Sequence, residues 1–317
     1  MSSVSGLLSG LPLDVLLSPW ALAVLGLAVG SFLNVVVHRL PLILERQWWG
    51  DVAAQLGDVE SFRRVFATAV PAPLAQSAAQ LDKSLAGLPP LGLARPASRC
   101  PACGHRIRWY ENIPVLSWLA LKARCSACGV GIAVRYPLVE IGAAALFAAL
   151  AWRIGPQPAT LLWCAWGAAL LALALIDWDT TVLPDSITLP LLWAGLVASG
   201  LGWLPGLTLA QALWGAAAGY LSLWSVYWLF KLATGKEGMG YGDFKLLAAL
   251  GAWLGWQAIL PIVLMASVIG AVVGLMMKAT GSLREGRFVP FGPFLAGGGL
   301  AVVLLGLPTV LGWMGWM

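Results

Sequence analysis

Charged residues are scarce in this chain of 317 residues. Only 10% of them are Asp, Glu, Lys or Arg, whereas 60% are hydrophobic, and the mean hydropathy is +0.84. Soluble globular domains carry about 25% charged residues. The composition therefore excludes a soluble enzyme and a disordered chain. Histidine and cysteine are also rare, with two and five residues, so each one deserves an explanation.

Long apolar stretches are abundant instead. A membrane-spanning helix needs about 20 mostly apolar residues. Candidate spans cover 13–37, 136–152, 160–176, 186–203, 209–230, 244–256, 258–277 and 291–311. These stretches are continuous and rich in Leu and Ala, whereas membrane strands would alternate apolar and polar residues. We therefore predict an all-α polytopic membrane protein with about eight transmembrane helices.

The distribution of Lys and Arg predicts the orientation of the spans. With eight spans, every basic residue except Arg153 falls on one side, which the positive-inside rule makes cytosolic. We expect three regions: a first transmembrane helix in 1–38, a cytosolic insert in 39–135, and a seven-helix membrane core in 136–317. Both termini would face the periplasm, and the first span would be an uncleaved anchor. The net charge of +5 then reflects topology and attraction to the lipid bilayer, so we expect no nucleic-acid partner.

The cytosolic insert begins with an amphipathic pattern. Apolar residues recur at three- and four-residue steps over 44–69, which predicts a helix that lies on the membrane or packs on the rest of the insert. The Pro-rich stretch 70–98 is expected to be a linker with one weak helix.

Four of the five cysteines form two C-x-x-C pairs. Cys100, Cys103, Cys125 and Cys128 match the pattern in which two tight turns supply four thiolates to zinc. A small hairpin is expected to bridge the 21 residues between the pairs. His105 is an alternative ligand, and disulfides or free thiols are the alternative state, although a reducing cytosol disfavours disulfides. Four thiolates would make the site structural. Cys164, within the third span, is expected to be a packing residue.

Carboxylates at the cytosolic edge of the spans carry the main chemical signal. Asp177 ends the third span and Asp243 precedes the sixth, so topology places both at one membrane face. Two carboxylates that meet cannot both ionise easily, which is the machinery of aspartic proteolysis. Gly240 and Gly242 indicate unusual backbone angles or close backbone approach beside Asp243. A proton-coupled carrier would also use membrane carboxylates and remains the alternative. Glu140, inside the second span, is expected to snorkel or to pair with a basic residue.

Seven motifs in order along the chain resemble one family. They are 30–41 (GSFLNVVVHRLP), 100–105 (CPACGH), 109–118 (WYENIPVLSW), 125–128 (CSAC), 135–140 (RYPLVE), 176–185 (IDWDTTVLPD) and 238–243 (GMGYGD). The sequence is thereby similar to the bacterial type IV prepilin leader peptidases. These are bifunctional GxGD-type aspartic peptidases and N-methyltransferases of type IV pilus and type II secretion systems.

The resemblance implies a function and a set of site residues. Asp177 and Asp243 would be the catalytic pair, because Asp177 stands seven residues before Pro184 as in the family. Asp179 fits that spacing less well and is the second candidate, whereas Asp185 is expected to cap a helix. The implied substrates are type IV prepilins or pseudopilins. Their basic leader would be removed after a glycine at the cytosolic face of the inner membrane.

A second activity is also implied by the resemblance. The family methylates the new N-terminal residue with S-adenosylmethionine, and the zinc-bearing insert would support this step. Glu111 and Asn112 are the polar candidates for methyl transfer, although their segment also fits a simple turn before an interfacial helix. A zinc-bearing assembly subunit is a further alternative. The oligomeric state does not follow from the sequence.

Overall fold

The computed structural model describes residues 12–281 and 289–316. Residues 1–11, 282–288 and 317 lie outside this range, and they include Arg284 and Arg287 of the predicted cytosolic charge. The described part of the chain is built from helices and contains no strand. The four paired cysteines form a cluster between the helices. The prediction of an all-α membrane protein with a cysteine-bearing insert is therefore confirmed.

The helices follow one another through short turns in most of the described chain. Their bounds are α1 Leu13–Leu16, α2 Pro19–Gly57, α3 Val59–Phe66, α4 Ala72–Ala86, α5 Leu116–Ala120, α6 Arg135–Ile154, α7 Pro158–Thr180, α8 Asp185–Gly200, α9 Leu209–Thr234, α10 Tyr241–Leu254, α11 Ile259–Ala279, α12 Gly292–Leu305 and α13 Leu307–Trp313. Two 3₁₀ turns, Trp109–Asn112 and Trp256–Ala258, precede α5 and α11.

All eight predicted spans contain helix, but they differ in length and apolarity. Four of the described helical segments are long and apolar enough to cross a membrane: α2, α6, α7 and Trp256–Ala279. Helices α12 and α13, bent by 108° at Gly306, make a fifth if they form one broken span. The chain is thus a multi-pass membrane protein, and the count of eight spans stays a prediction.

Helix α10 lies at the centre of the bundle and is buried along most of its length. Its backbone touches that of α9, where a Cβ on Gly215 would collide with the carbonyl of Gly251. A Cβ on Gly219 would lie 2.5 Å from the carbonyl oxygen of Leu247. Small residues allow such close crossings between membrane helices. The crossing fixes α10, and therefore the position of Asp243 in its first turn.

Helix α2 continues far beyond the predicted first span, to a length of 39 residues. It ends at Gly57, and the next residue, Asp58, caps the separate helix α3 by accepting a hydrogen bond from the Ser61 amide. The prediction of one amphipathic helix over 44–69 was therefore wrong in its boundaries. The following linker contains α4, as expected, and Arg39 and Arg46 hold its end by donating to backbone carbonyls of residues 89–96.

Candidate aspartate pair and four-cysteine centre

Asp177 and Asp243 are buried at neighbouring helix ends. Asp177 lies in the last turn of α7, which ends at Thr181 with a left-handed φ of 55°. Asp243 lies in the first turn of α10. The two residues are only 4% and 7% exposed, and the segments that carry them adjoin, since a Cβ on Gly242 would lie 2.8 Å from the Cβ of Leu183 in the loop after α7. The tertiary fold thus brings together two carboxylates that the sequence separates by two helices.

Gly292 is a third member of this site that the sequence reasoning missed. It begins α12, and its backbone N–H donates to Asp177 Oδ2 over 3.0 Å. A Cβ at this position would lie 2.6 Å from the same oxygen. The absence of a side chain therefore lets α12 approach the carboxylate. The Gly-Pro pair at 292–293 marks a helix start in the sequence, but nothing local links it to Asp177.

The two glycines before Asp243 have different roles. A Cβ on Gly242 would lie 2.8 Å from the Cβ of Leu183, in the loop that follows α7. Close approach, one of the two expected reasons for glycine, therefore applies at Gly242. Gly240 is the N-cap of α10 with φ −83°, an ordinary backbone angle, and a Cβ there would meet nothing closer than 4.0 Å. Neither expected reason applies at Gly240.

The other two aspartates of the region are held in ion pairs. Asp179 accepts two hydrogen bonds from the Arg135 guanidinium, at 2.6 and 2.8 Å. Asp185 accepts two from Lys245 Nζ, at 2.7 and 2.8 Å. Asp185 is the first residue of α8 and makes no capping bond, so its predicted role as a cap was wrong. The structure gives Asp179 a partner other than Asp243, which weakens it as the second candidate.

The four paired cysteines converge on one point. Their sulfur atoms all lie within 4.8 Å of one another, and Cys100 Sγ lies 3.8 Å from Cys128 Sγ. A tetrahedral zinc ion with bonds of about 2.3 Å to sulfur would need S–S separations of about 3.8 Å. The cluster can therefore bind a metal of this kind. His105 lies outside the sulfur cluster and contacts Glu111 and Ser126 instead.

Each C-x-x-C pair sits at the tip of its own turn. Isolated bridges between Arg99 and Arg106, and between Arg124 and Gly131, close the two turns. The segment between the pairs forms a 3₁₀ turn and the short α5. The expected hairpin between the pairs was therefore wrong, since the pairing occurs around each pair instead.

Backbone amides lower the pKa of the first thiol of each pair. Those of Cys103 and Ala102 lower the pKa of Cys100 to about 7, and that of Cys128 lowers the pKa of Cys125. The pKa of Cys103 is raised to about 12 although the His105 amide opposes the change, because burial and the neighbouring thiols disfavour another thiolate. A cation among the four sulfurs would offset that repulsion.

Glu111 joins the two cysteine turns. Its carboxylate accepts from the Arg108 amide at 2.8 Å and from the Ser126 hydroxyl at 2.5 Å, and it lies 3.3 Å from His105 Nε2. These contacts, led by the Arg108 amide and the Ser126 hydroxyl, lower the pKa of Glu111 to about 2. Asn112 is exposed beside it. The geometry thus favours a structural turn before α5, the alternative to methyl transfer.

Glu140 connects the insert to the membrane bundle. Its buried carboxylate accepts a hydrogen bond of 2.7 Å from the Val115 amide, and Val115 has a φ of 60°. No ion pair to Glu140 occurs in residues 12–281 and 289–316. The expected basic partner is therefore absent there, and a backbone amide takes its place. The contact fixes the start of α5 against α6.

Comparison with known proteins gives a consistent result. The family model of the bacterial peptidase A24 N-terminal domain matches residues 24–154, and that of the type IV leader peptidase family matches residues 164–275. The chain belongs to the type IV leader peptidase family. Relatives named prepilin leader peptidase/N-methyltransferase come from Pseudomonas putida (50% identity, 89% of each chain), Burkholderia pseudomallei strain 1026b (49%, 91% of this chain and 85% of the relative) and Aeromonas hydrophila (46%, 88% of each). No solved structure matches the chain.

The two family models divide the site in an informative way. The N-terminal model contains the cysteine cluster and Glu140, whereas the leader peptidase model contains Asp177 and Asp243. Gly292 lies beyond the matched residues of both models. Helix α12 therefore contributes to the aspartate site through Gly292, although it lies outside the segments that the two family models match.

Proposed function

We propose that this protein is an aspartic endopeptidase of the inner membrane that removes the leader of type IV prepilins or pseudopilins. The observation that carries the proposal is the buried carboxyl pair, Asp177 and Asp243, contributed by the ends of α7 and α10. Membership of the type IV leader peptidase family supports the substrate class.

The proposed chemistry uses both carboxyl groups and one water molecule. The ionised aspartate takes a proton from the water as its oxygen attacks the carbonyl carbon of the glycine before the scissile bond. The protonated aspartate donates to the carbonyl oxygen. Collapse of the tetrahedral intermediate breaks the C–N bond, and a proton moves to the leaving amine. Burial of both side chains, each less than 10% exposed, supports a pair that shares one proton.

The proposed setting is the cytosolic edge of the membrane. The ion pairs Arg135–Asp179 and Lys245–Asp185 lie at the same helix ends as the aspartates, and most other basic residues belong to the insert that precedes Arg135. The positive-inside rule then orients these ends toward the cytosol and both termini toward the periplasm. In this arrangement 39–135 is the cytosolic insert and 136–317 is the peptidase core.

We also propose methylation of the new N-terminal residue with S-adenosylmethionine, on the basis of the relatives' names. When bound, this cofactor supplies a methyl group to an amine. The described residues contain no strand, and therefore no βαβ unit of the common cofactor-binding kind. No residue is assigned to the cofactor, and Glu111 is engaged by other groups.

The four cysteines are proposed to hold a structural zinc ion. We expect a chain with Cys100→Ser and Cys103→Ser to lose close to its whole zinc content and its methylation, while leader cleavage continues. The physical reason is that two sulfurs cannot complete the tetrahedral site. Zinc content by mass spectrometry and methylation of a cleaved pilin measure the two effects. Cys164→Ala is the matched control, since Cys164 is buried in α7 away from the cluster. Unchanged methylation in the double variant would contradict the role of the insert.

A direct assay separates the peptidase from the two alternatives. Purified protein is incubated in detergent with a prepilin, and the mass of the pilin is followed. A peptidase produces a mass loss equal to the leader, whereas a proton-coupled carrier or an assembly subunit produces none.

A further inference from the structure

We propose that Glu111 is a positioning residue that holds the two C-x-x-C turns at metal-binding distance before the metal arrives. The inference deepens the proposed zinc site, and Glu111 itself is not a ligand. In this role the Glu111 carboxylate acts on the arrangement of the cysteines, and not on methyl transfer.

The contacts of Glu111 come from both cysteine turns. Ser126, between the two cysteines of the second turn, donates to Oε1 over 2.5 Å. His105, two residues after Cys103 of the first turn, lies 3.3 Å from Oε2. The carboxylate therefore lies between the turns and contacts both.

The Glu111 carboxylate is itself well fixed. It is the third residue of the 3₁₀ turn Trp109–Asn112, and the Arg108 amide donates to Oε2 over 2.8 Å. Its side chain is only 8% exposed. Hydrogen bonds to an ionised, partly desolvated acceptor are stronger than bonds between neutral groups. Through Ser126, the second cysteine turn is thereby attached to a carboxylate that the backbone directly after the first turn holds in place.

The sulfur positions agree with this role. All four sulfurs lie within 4.8 Å of one another. The only covalent connection between the turns is the intervening segment 104–124. Partners outside the ligand shell commonly change metal affinity by about 10–100-fold. We assign such an effect to Glu111 because it already restricts the two turns in the metal-free protein. The turns then lose less conformational freedom when the metal binds.

The first test measures zinc affinity of the full-length protein in detergent, by competition with a chromophoric chelator. We expect Glu111→Gln to weaken binding by about 10–100-fold, and Ser126→Ala to weaken it less. The amide keeps one acceptor oxygen but loses the charge and the second acceptor, so both substitutions weaken one shared contact, and the double variant is expected to bind little more weakly than Glu111→Gln. Glu60→Gln, an exposed carboxylate in the same insert, is the control and should bind like the parent protein. Cobalt-substituted protein should keep a four-sulfur spectrum in Glu111→Gln, because the ligands are unchanged.

The second test needs no metal, so it separates failure of this inference from failure of the zinc proposal. Metal-free protein is oxidised with diamide, which accepts two electrons and two protons from each pair of thiols as a disulfide forms. Mass spectrometry then gives the ratio of the Cys100–Cys128 disulfide to disulfides within a turn. We expect Glu111→Gln to lower this ratio several-fold and Glu60→Gln to leave it unchanged. The inference is overturned if the ratio is the same in Glu111→Gln and the parent, or if zinc affinity of this variant stays within about twofold of a zinc-binding parent.

Discussion

Replacing Asp177 or Asp243 by asparagine is expected to reduce leader cleavage by on the order of 10³-fold or more, while the chain still inserts into the membrane. Asparagine keeps the size of the side chain but neither takes a proton from water nor donates one as an acid. Either substitution therefore removes one of the two required groups, the base that deprotonates the water or the acid that protonates the carbonyl oxygen. The measurement is the initial rate of leader removal from a prepilin by the purified variants in detergent.

Neighbouring carboxylates provide the controls for this experiment. Asp179 and Asp185 lie in the same region but are engaged by Arg135 and Lys245, and exposed ion pairs contribute little to stability. Asp185→Asn is therefore expected to retain most of the cleavage activity. Asp179→Asn tests the second candidate directly: a loss there as large as in Asp177→Asn would reassign the first catalytic position. Near-normal cleavage by Asp177→Asn or Asp243→Asn would contradict the proposed mechanism.

The predictions that succeeded rest on strong local signals. Apolar length decides where membrane helices form, and each predicted span contains a helix in the described chain. The cysteine cluster was also predicted from a local signal, because the C-x-x-C spacing itself produces a tight turn with both sulfurs on one side. The prediction that Asp177 and Asp243 lie at one membrane face stays a prediction, although the fold buries both residues at neighbouring helix ends. The approach of the segments that carry them is a property of the fold, since no local pattern determines which helix ends touch.

The predictions that failed concern boundaries and distant partners. The apolar pattern of α2 changes where the chain leaves the predicted span, but the helix continues through Pro41 to Gly57. Asp185 has the residue type of a helix cap, yet Lys245 on another helix binds its carboxylate. For Glu111 the sequence left methyl transfer and a simple turn open; the turn is present, but the contact with Ser126, 15 residues further along the chain, was not predicted. For Asp185 and Glu111, the deciding contact comes from a residue that is distant along the chain.

The second large effect is expected at Gly292. A Cβ added here would lie 2.6 Å from Asp177 Oδ2 and 3.2 Å from a methyl carbon of Leu183. The backbone of α12 is packed against the bundle, so in Gly292→Ala the carboxylate must turn away and lose the 3.0 Å hydrogen bond from the residue 292 amide. A displacement of about 1 Å in a catalytic group can lower the rate by about 100-fold. We therefore expect cleavage to fall by about that factor, with a smaller change in the substrate concentration needed for half-maximal rate.

Helix α12 also supplies the matched control for this prediction. A Cβ on Gly297 would meet nothing within 4 Å, so Gly297→Ala makes the same chemical change on the same helix without touching Asp177. It is expected to cleave at nearly the parent rate and to be at least as stable, because alanine favours a helix more than glycine does. Equal rates in Gly292→Ala and Gly297→Ala would show that Asp177 does not depend on the contact with α12. A selective loss in Gly292→Ala, with thermal stability close to that of Gly297→Ala, would instead identify Gly292 as the residue that positions the first aspartate.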